Sequence, residues 1–348
     1  MFQLPNQAPI YYLEGEYSIP LVILSIVIAL GASYTALFIN KQIQSNSFFH
    51  QFIWLTLASL AMGLGIWSMH FIGMSAFMLP IPMTHNTSLT IVSAIPAVLA
   101  SFFAFYLANR KNKRIRTHIA ASILMGLGIS TMHYLGMAAM ELNASYVYKP
   151  VMLGISVLIA VLASFAALFI FSYGTKITDN LLIKLTAAAF MAAAVSSMHY
   201  IGMYAIQFYT FESAYLSDGV HAHREGLMAT VLFISIGICS LFVLTYLTSR
   251  LDQYVNFRIK NFDSLTQLPN HNQFTVDQKV DKYATLVSII HLHNFEKFIS
   301  GYGYTYGDKI LLEVKTLILK ILPKDAKVYR TEANRFTVVM PIGADSQS

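Results

Sequence analysis

Cysteine and charge are what this chain lacks. Its one cysteine, Cys239, sits in an apolar run, so no disulfide can form within the chain. Asp, Glu, Lys and Arg together make up 11% of the 348 residues, and residues 52–108 contain none of the four. Ordinary soluble domains carry about 25% charged residues, so this shortage excludes that class. None of the long apolar runs holds a carboxylate, which argues against an intramembrane enzyme working by acid–base chemistry. A basic start is missing from residues 1–18, so no cleavable signal peptide is expected.

What is present is apolar length. Hydrophobic residues reach 56% and the mean hydropathy is +0.56, the balance of a polytopic membrane protein. Seven stretches of about 20 residues or more are long enough to cross a bilayer. They lie near 19–40, 51–79, 88–108, 118–140, 151–173, 182–209 and 227–249. The fold expected is an all-α bundle of seven transmembrane helices. Basic residues gather on one side, with Arg110, Lys111, Lys113, Arg114 and Arg116 in a single loop and Lys41, Lys176, Lys184, Arg250, Arg258 and Lys260 alongside. The opposite loops keep Lys149 and Arg224. The positive-inside rule then places the N-terminus outside and the C-terminus in the cytoplasm. The same rule explains the net charge of +6 without a nucleic-acid partner.

One phrase recurs three times inside these runs. It reads Ser68-Met69-His70-Phe71-Ile72-Gly73-Met74, then Thr131-Met132-His133-Tyr134-Leu135-Gly136-Met137, then Ser197-Met198-His199-Tyr200-Ile201-Gly202-Met203. The copies fall in the second, fourth and sixth stretches, which all run in one direction. The chain is thus three tandem helical hairpins plus one odd helix, with repeats related by an axis along the membrane normal. Such a layout brings His70, His133 and His199 to one depth, toward the outer leaflet. On a helix, each histidine shares a face with the methionine four residues on: Met74, Met137 and Met203. Met69, Met132 and Met198 precede the histidines and point about 100° away. Gly73, Gly136 and Gly202 leave room for close helix approach or for a ligand at the backbone.

A lone buried histidine is ordinarily a hydrogen-bonded core residue, and methionine a gap filler. A fixed order kept in three copies exceeds what hydrophobic filling requires. Thioether and imidazole together are soft to borderline metal ligands. His85, His221 and His223 in the outer loops form a possible second metal site, with solvated loops as the plainer reading. Glu141 is a candidate partner for an imidazole N–H, and His50 and His118 are read as structural. A metal-ion transporter would need polar groups at several depths, whereas the inner halves of these helices are apolar. A metal-binding structural bundle is a further alternative.

These phrases and the seven-helix pattern resemble the MHYT domain of bacterial inner-membrane sensors, over about residues 15–250. Phe71 departs from the family's tyrosine. The resemblance implies copper held by Met and His side chains and sensing of a diatomic gas (NO, O2 or CO). Imidazole chemistry keeps zinc or iron as alternatives, and redox or metal state is an alternative signal.

After Arg250 the composition turns polar. A helical linker at 251–262 is expected, followed at 263–348 by a partial α/β module. The run Asp263-Ser264-Leu265-Thr266-Gln267-Leu268-Pro269-Asn270 resembles the opening of a GGDEF (diguanylate cyclase) domain. A strand near 285–292 and helices near 294–301 and 306–321 follow in that family's order. The resemblance also exposes departures. The metal-binding strand end reads His291-Leu292-His293, Ile299 replaces a base-reading Asn, and the signature loop reads Glu332-Ala333-Asn334-Arg335-Phe336. The inhibitory Arg-x-x-Asp reads Pro323-Lys324-Asp325-Ala326. Hard Mg²⁺ needs oxygen ligands, so no cyclase activity is expected. Asp308 alone survives among the nucleotide contacts, leaving weak GTP binding as the most the module retains. The module looks truncated, and in similar proteins a cyclic-di-GMP phosphodiesterase (EAL) domain follows. The resemblance further implies a homodimer acting in cyclic-di-GMP signalling.

Overall fold

The structure, a computed structural model, describes residues 10–44, 50–110, 114–173, 181–211, 220–280 and 285–341. Lys111, Lys113 and Lys176 of the basic loops lie outside these. The chain divides into two units, Met1–Arg250 and Leu251–Ser348.

The first unit is built from α1 (Ile19–Gln44), α2 (Gln51–Ala76), α3 (Thr87–Ala108), α4 (Ile115–Ala138), α5 (Pro150–Tyr173), α6 (Leu181–Tyr204) and α7 (Val220–Asn261). Among the described residues, seven helices are long and apolar enough to cross a membrane, one for each stretch expected. The chain is a multi-pass membrane protein. Each of the first five helices packs on the next, and α6 packs back on α1, so these six close a ring. The phrase-bearing α2, α4 and α6 meet at its axis, where α2 touches both others.

Small residues set this packing. A Cβ on Gly63 of α2 would stand 2.5 Å from the Val98 backbone of α3, and one on Gly126 of α4 would stand 2.6 Å from the Val161 backbone of α5. Gly65 faces Ala32 in the same way that Gly128 faces Ala100. Substitution at any of these positions would push helix axes apart.

One end of the ring carries short strands that apolar length did not reveal. They are β1 (Tyr11–Leu13), β2 (Glu16–Tyr17), β3 (Phe77–Met78), β4 (Met83–His85), β5 (Met140–Leu142), β6 (Ser145–Tyr148) and β7 (Ile206–Thr210). All pairs are antiparallel: β4 with β5, β6 with β7, β1 with β7 and β2 with β3. The tails of the stretches expected at 51–79 and 182–209 are therefore strand, not helix. The N-terminal segment does for the first hairpin what the inter-repeat loops do for the others. Ser18 N–H bonds Ala76 O, Asn86 N–H bonds Ala139 O and Lys149 N–H bonds Ala205 O, each at 2.8 Å. These three bonds stitch the starts of α1, α3 and α5 to the ends of α2, α4 and α6.

In the second unit α7 continues unbroken to Asn261, so the expected linker is the end of that helix. Then come α8 (His271–Val280), β8 (Thr285–His291), α9 (Phe295–Tyr302), α10 (Tyr304–Ile321), β9 (Lys327–Glu332) and β10 (Arg335–Pro341). The antiparallel sheet runs β8-β10-β9 over a core of Leu268, Phe295, Leu311, Ile318, Val328, Phe336 and Val338. Arg330 grips Asp263 at 2.8 Å, and Thr266 bonds the same carboxylate through its hydroxyl and its N–H. Burial alone would raise the Asp263 carboxyl, but the bonds from Thr266 and Arg330 outweigh it and hold the group below its ordinary value.

Candidate metal centre

The helix ring brings the three phrases into one layer. His70, His133 and His199 are 1%, 0% and 0% exposed, and their rings stand nearly perpendicular to one another. Their Nδ1 atoms converge, with His70 to His199 at 3.0 Å, His133 to His70 at 3.1 Å and His199 to His133 at 3.4 Å. Among the described residues this is the group of His, Cys, Asp or Glu close enough to hold one ion.

Protons cannot satisfy this triangle. Each imidazole nitrogen offers, in the ring plane, either one N–H or one lone pair. A single N–H···N bond pairs two of the three and leaves the third facing a like group. Three is an odd number, and the rings are buried away from bulk solvent. A cation at the centre satisfies all three lone pairs together. Nitrogens about 2.0–2.1 Å from a tetrahedral ion lie about 3.3–3.4 Å apart, close to the separations found. The residues present therefore fit a metal.

The other ring nitrogens explain the glycines. A Cβ on Gly73 would lie 2.5 Å from His199 Nε2, and one on Gly202 would lie 2.5 Å from His133 Nε2. A Cβ on Gly136 would press still closer on His70 Nε2. Each ring thus rests on the backbone of another repeat, in a cycle that runs once around the axis. None of the three Nε2 atoms meets full hydrogen-bond geometry with a partner.

The methionines divide into two layers. Met74, Met137 and Met203 join a buried cluster with Leu13, Met83, Met140 and Phe208 on the strand-capped side. Met69, Met132 and Met198 belong to the inner core with Trp54 and Phe105. The thioethers bracket the imidazole layer from both sides.

The tyrosines hold the walls. Tyr134 Oη bonds Ser156 Oγ at 2.6 Å, and Tyr200 Oη bonds Ser25 Oγ at 2.8 Å. In the first repeat Phe71 has no hydroxyl, and the matching serine, Ser93, accepts from Trp67 Nε1 instead at 3.2 Å. A second swap accompanies this one: Tyr148 and Tyr17 pack on Tyr134 and Tyr200, whereas His85 packs on Phe71 at 4.9 Å. Burial, then Tyr200, pushes the Tyr17 hydroxyl up to about 12. The Tyr148 hydroxyl is also raised, by burial first and then by Tyr146 and Tyr134.

Several expectations need correction. Glu141 is exposed on β5, where its carboxylate takes Asn86 Nδ2 at 3.2 Å; it makes no bond to the histidines among those described. His85 belongs to β4 beside Phe71, not to a solvated loop. His221 and His223 open α7, so their positions lie about 200° apart on a helix instead of sharing one side of an extended loop; their side chains lie outside the described residues. His50 caps α2, accepting from Phe52 N–H at 3.2 Å, and His118 is buried, in keeping with structural roles. In the second unit Asp308 is exposed on α10, and His291 bonds Asn334 at 3.1 Å.

Some participants were not singled out from sequence. Ser25, Ser93 and Ser156 escaped because serine on an apolar helix is unremarked, yet each is the seventh residue of its odd helix. Met62, Met125 and Met191 each precede a phrase histidine by the same eight positions. Aligning whole hairpins, not the phrase alone, reveals both sets.

Comparison with known proteins agrees with the repeats and with the change of character after the bundle. Residues 63–121 and 126–183 match the model described as bacterial signalling protein N terminal repeat (MHYT). Residues 260–347 match the diguanylate cyclase GGDEF domain. The chain is 32% identical to the bifunctional diguanylate cyclase/cyclic di-GMP phosphodiesterase MucR of Pseudomonas aeruginosa, over 94% of its own length and 51% of the relative's. It is 29% identical to the cyclic di-GMP phosphodiesterase NbdA of the same organism, over 97% and 47%. The signaling protein YkoW of Bacillus subtilis is 29% identical, over 92% and 40%. The chain spans about half the length of the curated relatives it matches.

Proposed function

We propose that this chain, which carries MHYT repeats followed by a GGDEF domain, is a copper-dependent membrane sensor of a diatomic gas (NO, O2 or CO) that governs cyclic-di-GMP turnover. One observation carries the reading: an odd number of buried imidazole nitrogens converge where protons cannot pair them. His70, His133 and His199 hold the ion, the two methionine layers flank it, and the glycine cycle fixes the rings. Copper is preferred because methionine accompanies each histidine. A bound copper would supply affinity for a small neutral ligand such as NO, O2 or CO. The nitrogen-only triangle also suits zinc, and elemental analysis separates the two.

The basic α3–α4 loop, with Arg110, Arg114 and Arg116, marks the cytoplasmic side by the positive-inside rule. The strand-capped end and the histidine layer then face outward, in a bacterial cytoplasmic membrane. Ile72, two residues beyond His70, shares a buried cluster with Val231 and Ile238 of α7. A shift of α2 at the metal layer is therefore felt by the helix that leads into the GGDEF unit. A signal passes only if the ligand binds two bundle states unequally.

The GGDEF unit of this chain works as a relay or homodimer surface rather than a cyclase. A tight Ala333-Asn334 turn joins β9 to β10, pinned by Asn334 to His291 and Leu292 and flanked by the Arg335–Glu332 pair at 3.1 Å. No glycine there admits a phosphate, and the strand end offers imidazoles where Mg²⁺ needs carboxylates.

Metal analysis of detergent-purified protein tests the centre. Wild type is expected to carry about one ion per chain, and His133→Ala to lose it, with a spectral change on adding NO or CO to wild type alone. Equal metal in both proteins, or none in either, removes the proposal.

A further inference from the structure

We propose a second site, made of thioethers alone, that takes a soft monovalent cation deeper in the bundle. Met62, Met125 and Met191 stand at one register of α2, α4 and α6, about 12 Å along each helix from its histidine and on the side away from the strands. They are 2%, 3% and 1% exposed, and all three line one cavity of about 10 Å³ together with Met198, Phe105 and Ser164. That volume holds about one water-sized sphere.

Packing alone does not account for this place. Methionine is flexible enough to fill a gap, yet here three of them surround one. Ser164 is 3% exposed and lines the same cavity, and its hydroxyl has no hydrogen-bond partner. A void and an orphaned hydroxyl both cost stability. Water is a poor occupant, since it needs two to four polar partners and the wall offers this one hydroxyl.

The lining residues select the ligand. They include no carboxylate, so a divalent or hard cation would sit in an apolar wall without compensation. Thioethers are neutral, soft donors suited to Cu(I) and its analogue Ag(I). Three of them from three repeats, with Ser164 at the wall, would offer such an ion neutral donors in a buried place, the Met125 sulfur trading its contact from Ser101 Oγ at 3.7 Å for the ion. The site does not depend on the histidine centre, because no imidazole lines it.

The test uses the full chain in detergent, with Zn(II) and Ag(I) as separate probes. Zinc is loaded first to fill the imidazole triangle, and Ag(I) is then titrated. Zinc-loaded wild type is expected to take up one more Ag(I) per chain than the Met62→Leu/Met125→Leu/Met191→Leu variant, with zinc content the same in both. Leucine keeps the volume and removes the sulfur. Should the triple variant fail to elute as folded protein, Met125→Leu alone is expected to weaken that Ag(I) step about tenfold. Silver uptake unchanged by the substitutions, or absent from zinc-loaded wild type, overturns the proposal. So does a cavity that accepts xenon but no silver. If neither protein binds zinc while the silver step still depends on these methionines, the histidine centre fails and the thioether site stands.

Discussion

Histidines cluster in both units of this chain, and the two clusters differ in every physical respect. In the bundle three rings are buried at one depth with Nδ1 atoms 3.0–3.4 Å apart, each resting on a glycine of another repeat. In the GGDEF unit His291 and His293 are exposed at a strand end with ring centroids 6.1 Å apart, and His291 already bonds Asn334. Residue type is the same. What separates a candidate metal centre from a strand end is burial, convergence and the lack of any other way to satisfy the nitrogens.

The largest expected effect sharpens that contrast directly. Removing one imidazole by His133→Ala should abolish metal binding, whereas His291→Ala/His293→Ala should leave the content of purified protein unchanged by elemental analysis. Metal lost from the second variant would erase the distinction. Next is the glycine cycle. Gly136→Ala puts a Cβ against His70 Nε2 and must tilt that ring, so metal affinity should fall about 10–100-fold. Competition with a chelator measures it, and an unchanged affinity would show that the cradle does not orient the ring.

Wall bonds matter less. Tyr134→Phe deletes the bond to Ser156, whose hydroxyl keeps Leu153 O at 2.8 Å, so thermal unfolding should reveal a loss of about 1 kcal/mol. The first repeat already has Phe71 at that place, so metal content should survive. The smallest effect belongs to the GGDEF unit. Asp263 is held below its ordinary value, so its clamp on Arg330 and Thr266 adds stability that is complete above about pH 3.9 and fades as pH falls through the lower native value. Asp263→Asn should flatten this acid limb in circular dichroism titrations from about pH 5 down to about pH 1. A parallel limb in the variant would assign it to other carboxylates.

Hydropathy located all seven crossings because a helix that crosses lipid needs about 20 apolar residues in a row. It overran the ends of α2 and α6, where Phe77 and Ile206 continue the apolar run as strands. Apolar length cannot tell a helix end from a short strand that pairs with a distant loop. Glu141 illustrates the same limit: it follows the phrase closely in sequence, yet the β4–β5 pairing turns its carboxylate to Asn86.

Sequence by itself determined the repeat, the membrane class and which donor side chains the repeat carries, since order, apolar length and side-chain type are properties of a chain written in one dimension. Tertiary structure alone decided that Nδ1 and not Nε2 faces the axis, that each glycine serves a histidine of another hairpin, and that Met62, Met125 and Met191 share one cavity. Those facts depend on how far helices rotate and how closely they approach. Contacts between residues on different helices, from Gly128 with Ala100 to Gly73 with His199, set both, and no local pattern encodes them.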